Sequence, residues 1–191
     1  MSLSPVQIKQ NKEDTLEILN NTIELPERFY EYLDETDFWT APASTRFHNA
    51  YEGGLVEHSL KVYEHLSMLN YHHLLGFEDR SIAITSLFHD LCKTDFYRKT
   101  YKNKKMEDGR WIRVSSYDVQ DQFPAGHGNK SVYLLLVHGV ELTEDEILAI
   151  THHMGAWEAK SYGDEQALSG AMGKYKLVTA LHIADMMAVW L

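Results

Sequence analysis

Residues 81–91 read Ser-Ile-Ala-Ile-Thr-Ser-Leu-Phe-His-Asp-Leu. Ile82, Ala83, Ile84, Leu87 and Phe88 make the segment strongly apolar, as suits a helix buried in a core. Its end breaks that pattern, because His89 and Asp90 stand side by side where apolar residues should continue. A buried carboxylate must be paired or bound to a metal, since losing its hydration without a partner is costly. The same oddity occurs in residues 177–191, where only Thr179, His182 and Asp185 are not apolar. Spaced three apart, they form one polar stripe on an otherwise hydrophobic helix. A third helix is predicted from Leu55 to about Leu69, with Leu55, Val62, Leu66 and Leu69 on its apolar side and Glu57, Lys61 and Glu64 opposite. His58 lies three residues after Leu55 and four before Val62, so it points inward with the apolar face.

Three inward-facing sets, His58, His89-Asp90 and Asp185, thus arrive from three helices. Two neutral imidazoles and two carboxylates suit a divalent ion such as manganese, iron, cobalt, nickel or zinc. Adjacent His89 and Asp90 also let the aspartate turn one oxygen toward each of two ions. Taken singly, each residue reads equally as a core histidine bonded to a carbonyl or an aspartate paired with a lysine. The joint occurrence on three apolar faces is what the single readings explain poorly.

The rest of the chain bounds the fold. At 191 residues it is short for two full domains and long enough for one substantial core. The 28 acidic and 18 basic residues give a formal charge of −10, which disfavours a surface that tracks a nucleic-acid backbone throughout. Cys92 is the one cysteine, so no intrachain disulfide can form, and it reads as a small buried apolar residue. No apolar run reaches about 18 residues and the N-terminus lacks a signal-peptide pattern. The expectation is a soluble, cytoplasmic protein with no membrane partner.

Met1–Asn11 is polar and patternless. Helices are expected at about Glu13–Asn21 and after Pro26, followed by a loop over Thr36–Ala50. Phe96–Tyr101 and Trp111–Tyr117 are aromatic and β-branched around Asp108-Gly109, which predicts a hairpin over about residues 96–117. Further helices are expected from Ser131 to His138, from a capping box at Thr143 and Glu146 to about His153, and from Tyr175 to Leu191. The sum is a single all-α domain over residues 1–191, a helical bundle with a small β-hairpin insertion. N-terminal helices and a loop fill 12–45, and a metal-binding helical core fills 46–191.

Four segments, in this order, resemble the HD-domain superfamily of metal-dependent phosphohydrolases. They are Arg46-Phe-His-Asn-Ala-Tyr-Glu-Gly-Gly-Leu-Val-Glu-His58, Leu87-Phe-His-Asp-Leu-Cys-Lys93, His152-His153-Met-Gly155 and Ala180-Leu-His-Ile-Ala-Asp185-Met. The resemblance implies an HD-type bundle with an ion held by His58, His89, Asp90 and Asp185. A second ion is implied at His127, which sits in Ala125-Gly-His-Gly128, and at His152 or His153, with Asp90 as the bridge. His153 follows Ile150 by three and is favoured, with both retained. The cofactor is then one or two divalent ions (Mn, Fe, Co, Ni, Zn or Mg). Asp90 and Lys93 become the implied catalytic residues, and Arg46, Lys93 and Arg98 the implied substrate contacts. Lys93 reads equally as a salt-bridge partner of a nearby carboxylate, and Arg46 as a surface arginine. His48 matches a family position, and His182, one turn before Asp185, reads as its supporting partner. His65, His72, His73 and His138 match no motif and read as structural or solvated.

The activity this implies is cleavage of a phosphate ester of a nucleotide or short single-stranded nucleic acid by a metal-activated water. It accords with the absence of a serine or cysteine nucleophile motif. Two alternatives share the pattern: an HD-type di-iron oxygenase and a non-catalytic nucleotide-binding HD module. Exonuclease relatives usually carry a separate nucleic-acid-binding domain, for which this chain has no room, so small nucleotides are favoured. Residues 98–113 hold seven basic and two acidic residues, net +5, leaving 11 basic and 26 acidic elsewhere, net −15. Tyr97, Tyr101 and Trp111 interleave with these charges. The stretch reads either as a solvated hairpin or as a substrate-side flap that stacks on a base.

Overall fold

Ser4 starts the first helix. Its side chain accepts the Gln7 N–H at 3.3 Å, Gln7 Oε1 accepts the Ser4 N–H at 2.9 Å, and Pro5 occupies the first helical position. The computed structural model describes residues 2–191 and contains eight α-helices with one β-hairpin. Helix α1 runs Pro5–Thr22 and α2 runs Glu27–Glu35. The polar stretch before Asn11 is therefore mostly helical, nucleated by its cap rather than by an apolar face.

Helix α3 spans Gly54–His73 and α4 spans Asp79–Phe88, followed by a 3₁₀ turn at Leu91–Lys93. His89 and Asp90 thus stand just past the end of α4, not within its last turn. Strands β1 (Tyr97–Lys105) and β2 (Trp111–Val119) pair antiparallel from Tyr97↔Val119 to Lys105↔Trp111. Gly109, at φ 84°, supplies the positive φ in the connecting turn. Strand β1 runs past its expected end at Tyr101 because its distal half is exposed and lacks a buried alternation to mark it, and β2 runs two residues past Tyr117 to pair with Tyr97 and Arg98.

Helix α5 covers His127–Val137, α6 Glu144–Thr151, α7 Tyr162–Lys174 and α8 Lys176–Trp190. Helix α5 begins before Ser131 and α6 ends before His153, so both His127 and His153 sit at helix boundaries. Helix α7 has no counterpart among the expected elements. Only Ala171 of it is buried, and Gly163, Gly170 and Gly173 further blur its periodicity. Its start is local, with Ser161 Oγ accepting the Asp164 N–H at 3.2 Å.

Two apolar clusters meet on α3, α4 and α6. Phe29 and Leu33 of α2 pack with Leu55 of α3, Phe88 of α4, Leu135 of α5 and Ile150 of α6. Val62 and Leu66 of α3 pack with Ala149 of α6 and with Leu177, Leu181 and Ala184 of α8. The N-terminal helices are therefore part of the core that carries the histidines. Fully buried Glu146 fastens α6 to α4, taking hydrogen bonds from Ser81 Oγ at 2.8 Å and from Arg80, and closing its own cap on Thr143 N–H at 2.9 Å. No helix among the described residues is long and apolar enough to cross a membrane.

The first turn of α5 touches the end of α6 at backbone range. A Cβ at Gly128 would lie 2.4 Å from the carbonyl oxygens of both Ile150 and Thr151. Gly128→Ala is expected to lower unfolding stability by about 1–3 kcal/mol, as over-packing does. Gly170→Ala, where no heavy atom lies within 4 Å, is expected to be neutral or mildly stabilising. Thermal denaturation of the two variants beside wild type checks the contrast.

Candidate metal centre

Helix ends orient the imidazoles. His89 follows α4, and its Nδ1–H donates to the Ser86 carbonyl at 2.8 Å. His153 follows α6, and its Nδ1–H donates to the Ile150 carbonyl at 2.7 Å. Each ring thereby uses a carbonyl from a helix's last turn. In the neutral ring this bond puts the proton on Nδ1 and leaves the Nε2 lone pair free, which is the state a metal ligand requires. His58 enters from the inward face of α3 and is 1% exposed.

These free atoms converge. His58 Nε2, His89 Nε2, His153 Nε2 and Asp90 Oδ1 are all buried without a hydrogen-bond partner. Buried polar atoms are normally paired, so four together ask for an occupant. His58 Nε2 lies 3.1 Å from Asp185 Oδ1, and His89 Nε2 lies 3.4 Å from Asp90 Oδ2. On the other side, Asp90 Oδ1 lies 3.4 Å from His127 Nε2 and 3.5 Å from His153 Nε2. Two donors each about 2.1 Å from one ion stand about 3–3.5 Å apart, so these spacings suit ligands of a common ion. His58, His89 and Asp185 form one group able to hold a metal, and Asp90 joins His89 with His153 and Cys92 with His127 in two more. The two oxygens of Asp90 accordingly face different sets of imidazoles.

Charge in the centre is nearly balanced. Burial works against ionisation of Asp90, but Lys93 and His89 outweigh it and hold the carboxylate well below its ordinary range. Burial is likewise outweighed at Asp185 by His58 and His89, which lower that carboxylate too. Lys93 is 6% exposed, and its Nζ is 2.5 Å from Asp90 Oδ2. Lys93 thus makes the salt bridge that one of its two readings expects. Burial disfavours charge on His127, yet Asp90 and Cys92 overcome it and lift the imidazole to about 10.

The other expected residues fall in different places. His152 is half-buried and joins none of the three groups, so His153 alone of that pair reaches the centre. His182 does not support Asp185; its ring is 2.7 Å from the His153 carbonyl, packed over Gly155. His48 does reach the cluster, its ring centroid 4.9 Å from that of His58, and burial followed by the His58 charge lowers it to about 4. Arg46 is exposed, with its guanidinium 5.1 Å over the Phe47 ring. Arg98 is exposed on β1, on the face opposite Tyr97. His72 and His73 are exposed, and His138 stacks on Tyr32 at 4.0 Å.

Two neighbours of the centre are placed beside it by the fold, one read from the sequence as core and one as a hairpin ring. Cys92 reads as core, yet the 3₁₀ turn after Asp90 sets its thiol among ligand types. Tyr97 lies where β1 leaves the domain; burial chiefly raises its hydroxyl to about 12, Lys93 opposing and Asp90 adding. No family model, curated protein or solved structure matches the chain.

Two expectations follow. Elemental analysis after loading with manganese or cobalt should find two ions per chain in wild type and fewer in Asp90→Asn, with His127→Ala losing one. Each ion present at 100 times its dissociation constant should add about 2.7 kcal/mol of stability. In chelator-treated protein the sign for His127 is set by its raised value. Its contribution is complete below the ordinary pKa of about 6.5 and is lost as pH rises toward 10. Equilibrium unfolding in a chelator should therefore show stability falling across that window in wild type, with a flatter profile in His127→Gln.

Proposed function

We propose that the chain is an HD-type metal-dependent phosphohydrolase acting on a phosphate ester of a nucleotide or short single-stranded nucleic acid. The observation that carries this reading is Asp90, whose two oxygens face separate sets of imidazoles, among which the Nε2 atoms of His58, His89 and His153 are buried and unused. His58, His89, Asp90 and Asp185 would hold one divalent ion, and Asp90, His127 and His153 a second. Ions so held supply a water of lowered pKa and positive charge to meet a phosphoryl oxygen.

The chain's own residues supply the rest. Lys93 holds its ammonium on Asp90 Oδ2 and would lend positive charge to an anionic substrate that reaches the centre. The basic hairpin supports a nucleotide as that substrate. Strand alternation puts Tyr97, Lys99, Tyr101, Asn103 and Lys105 on one face, with Tyr117, Arg113 and Trp111 opposite Lys99, Asn103 and Lys105. At its base this face is buried through Tyr117, and Tyr97 there feels the charges of Lys93 and Asp90. Farther out it exposes Tyr101 and Trp111, and the Arg113 guanidinium lies 4.4 Å over the Tyr101 ring. Cations for phosphate and rings for bases are the two elements of single-strand binding.

Activity against bis-p-nitrophenyl phosphate, nucleotides and short oligonucleotides, with Mn, Co, Ni or Mg, tests the proposal. Asp90→Asn is expected to lower kcat by at least about 100-fold, the upper range for losing even an outer partner of a metal ligand. Reversing charge at Lys99 and Arg113 is expected to raise KM for nucleic substrates and leave kcat near wild type. Absence of phosphoesterase activity with every metal would overturn the proposal. Retained iron with oxygen uptake would then select the oxygenase.

A further inference from the structure

Cys92 is the chain's single cysteine and is 1% exposed. It lies two residues after Asp90, in the 3₁₀ turn Leu91–Lys93. Its Sγ, a carboxylate oxygen of Asp90 and a ring nitrogen of His127 all lie within 4.8 Å of one another. The placement is fastened by backbone. Cys92 N–H donates to Ser131 Oγ at 3.0 Å, one turn along α5 from His127, so the turn and the start of α5 are held in register. An independent observation points to an occupant on this side. Asp90 Oδ1 is buried, has no hydrogen-bond partner, and faces His127.

We infer that Cys92 supplies a thiolate ligand to an ion held by Asp90 and His127. The inference rests on the metal-centre reading above and adds to it a sulfur donor. On binding, the Sγ–H bond breaks, its proton passes to solvent and an Sγ–metal bond forms, with no change of oxidation state. The consequence is a chemical asymmetry between the two ion positions. The position at His58, His89 and Asp185 offers nitrogen and oxygen alone. The position at Cys92 adds a soft donor, which favours zinc, iron or cobalt over magnesium and manganese.

Cobalt(II) titration of the metal-free full-length chain tests this, with bound cobalt counted by elemental analysis and the near-ultraviolet spectrum recorded at each step. A sulfur-to-cobalt charge-transfer band is expected in wild type and is expected to vanish in Cys92→Ser while cobalt at the other position remains. Because there is one cysteine, such a band has one thiolate source. Cobalt bound by wild type without the band overturns the thiolate ligand and leaves the metal centre intact. No cobalt bound at all overturns both. Should Cys92→Ser fail to fold, cadmium-113 NMR of wild type decides. A thiolate-ligated resonance stands far downfield of nitrogen- and oxygen-ligated ones, and its absence from cadmium-loaded protein overturns the inference.

Discussion

The carboxylate of Asp90 is the constraint around which the molecule is arranged. It is 3% exposed and ionised, and a charge so placed is tolerable only where opposite charge and directed donors surround it. Lys93 answers one oxygen from the same turn. The other faces His127 and His153, brought by the start of α5 and the end of α6. The contact at Gly128 and the buried Glu146 hold α5, α6 and α4 at the separations this requires. Removing Lys93 would leave a buried anion without its nearest cation, a far larger penalty than losing an exposed ion pair.

Much of the centre was legible because polar residues interrupted apolar periodicity. His58, His89, Asp90 and Asp185 stood out for that reason, and the spacing from Ile150 separated His153 from His152. What escaped notice depended on contacts between segments distant in sequence. His182 lies one turn from Asp185, and helical spacing alone suggested that pair. Its actual partner is the His153 carbonyl, reached because α6 and α8 pack together through Ala149 and Leu181. Cys92 is the small buried residue its sequence suggests, and only the 3₁₀ turn, which nothing local announces, sets its thiol beside His127.

The helices followed the same division. Where an amphipathic stripe or capping box existed, as in α3 and α6, the element was readable and only its ends moved. Helix α7 buries a single residue, Ala171, and so leaves no stripe to read. Helix α1 begins at the reciprocal bonds of Ser4 and Gln7, a signal of two residues within a polar stretch. Helix ends proved the most consequential detail. His89, His127 and His153 all occupy boundaries, and at His89 and His153 a carbonyl of the helix's last turn fixes the ring.

The unequal division of charge has an effect at distances greater than any contact. A body of net −15 joined to an arm of net +5 makes the protein strongly dipolar. An anion diffusing in from solution is repelled over most directions of approach and attracted over one sector, the one the hairpin occupies. That arm is anchored beside Lys93 at its base. The arm therefore biases an incoming anion toward that sector before any contact forms. This long-range selection weakens as ionic strength shortens the reach of the field, while the buried pair of Asp90 and Lys93 is largely shielded from that change.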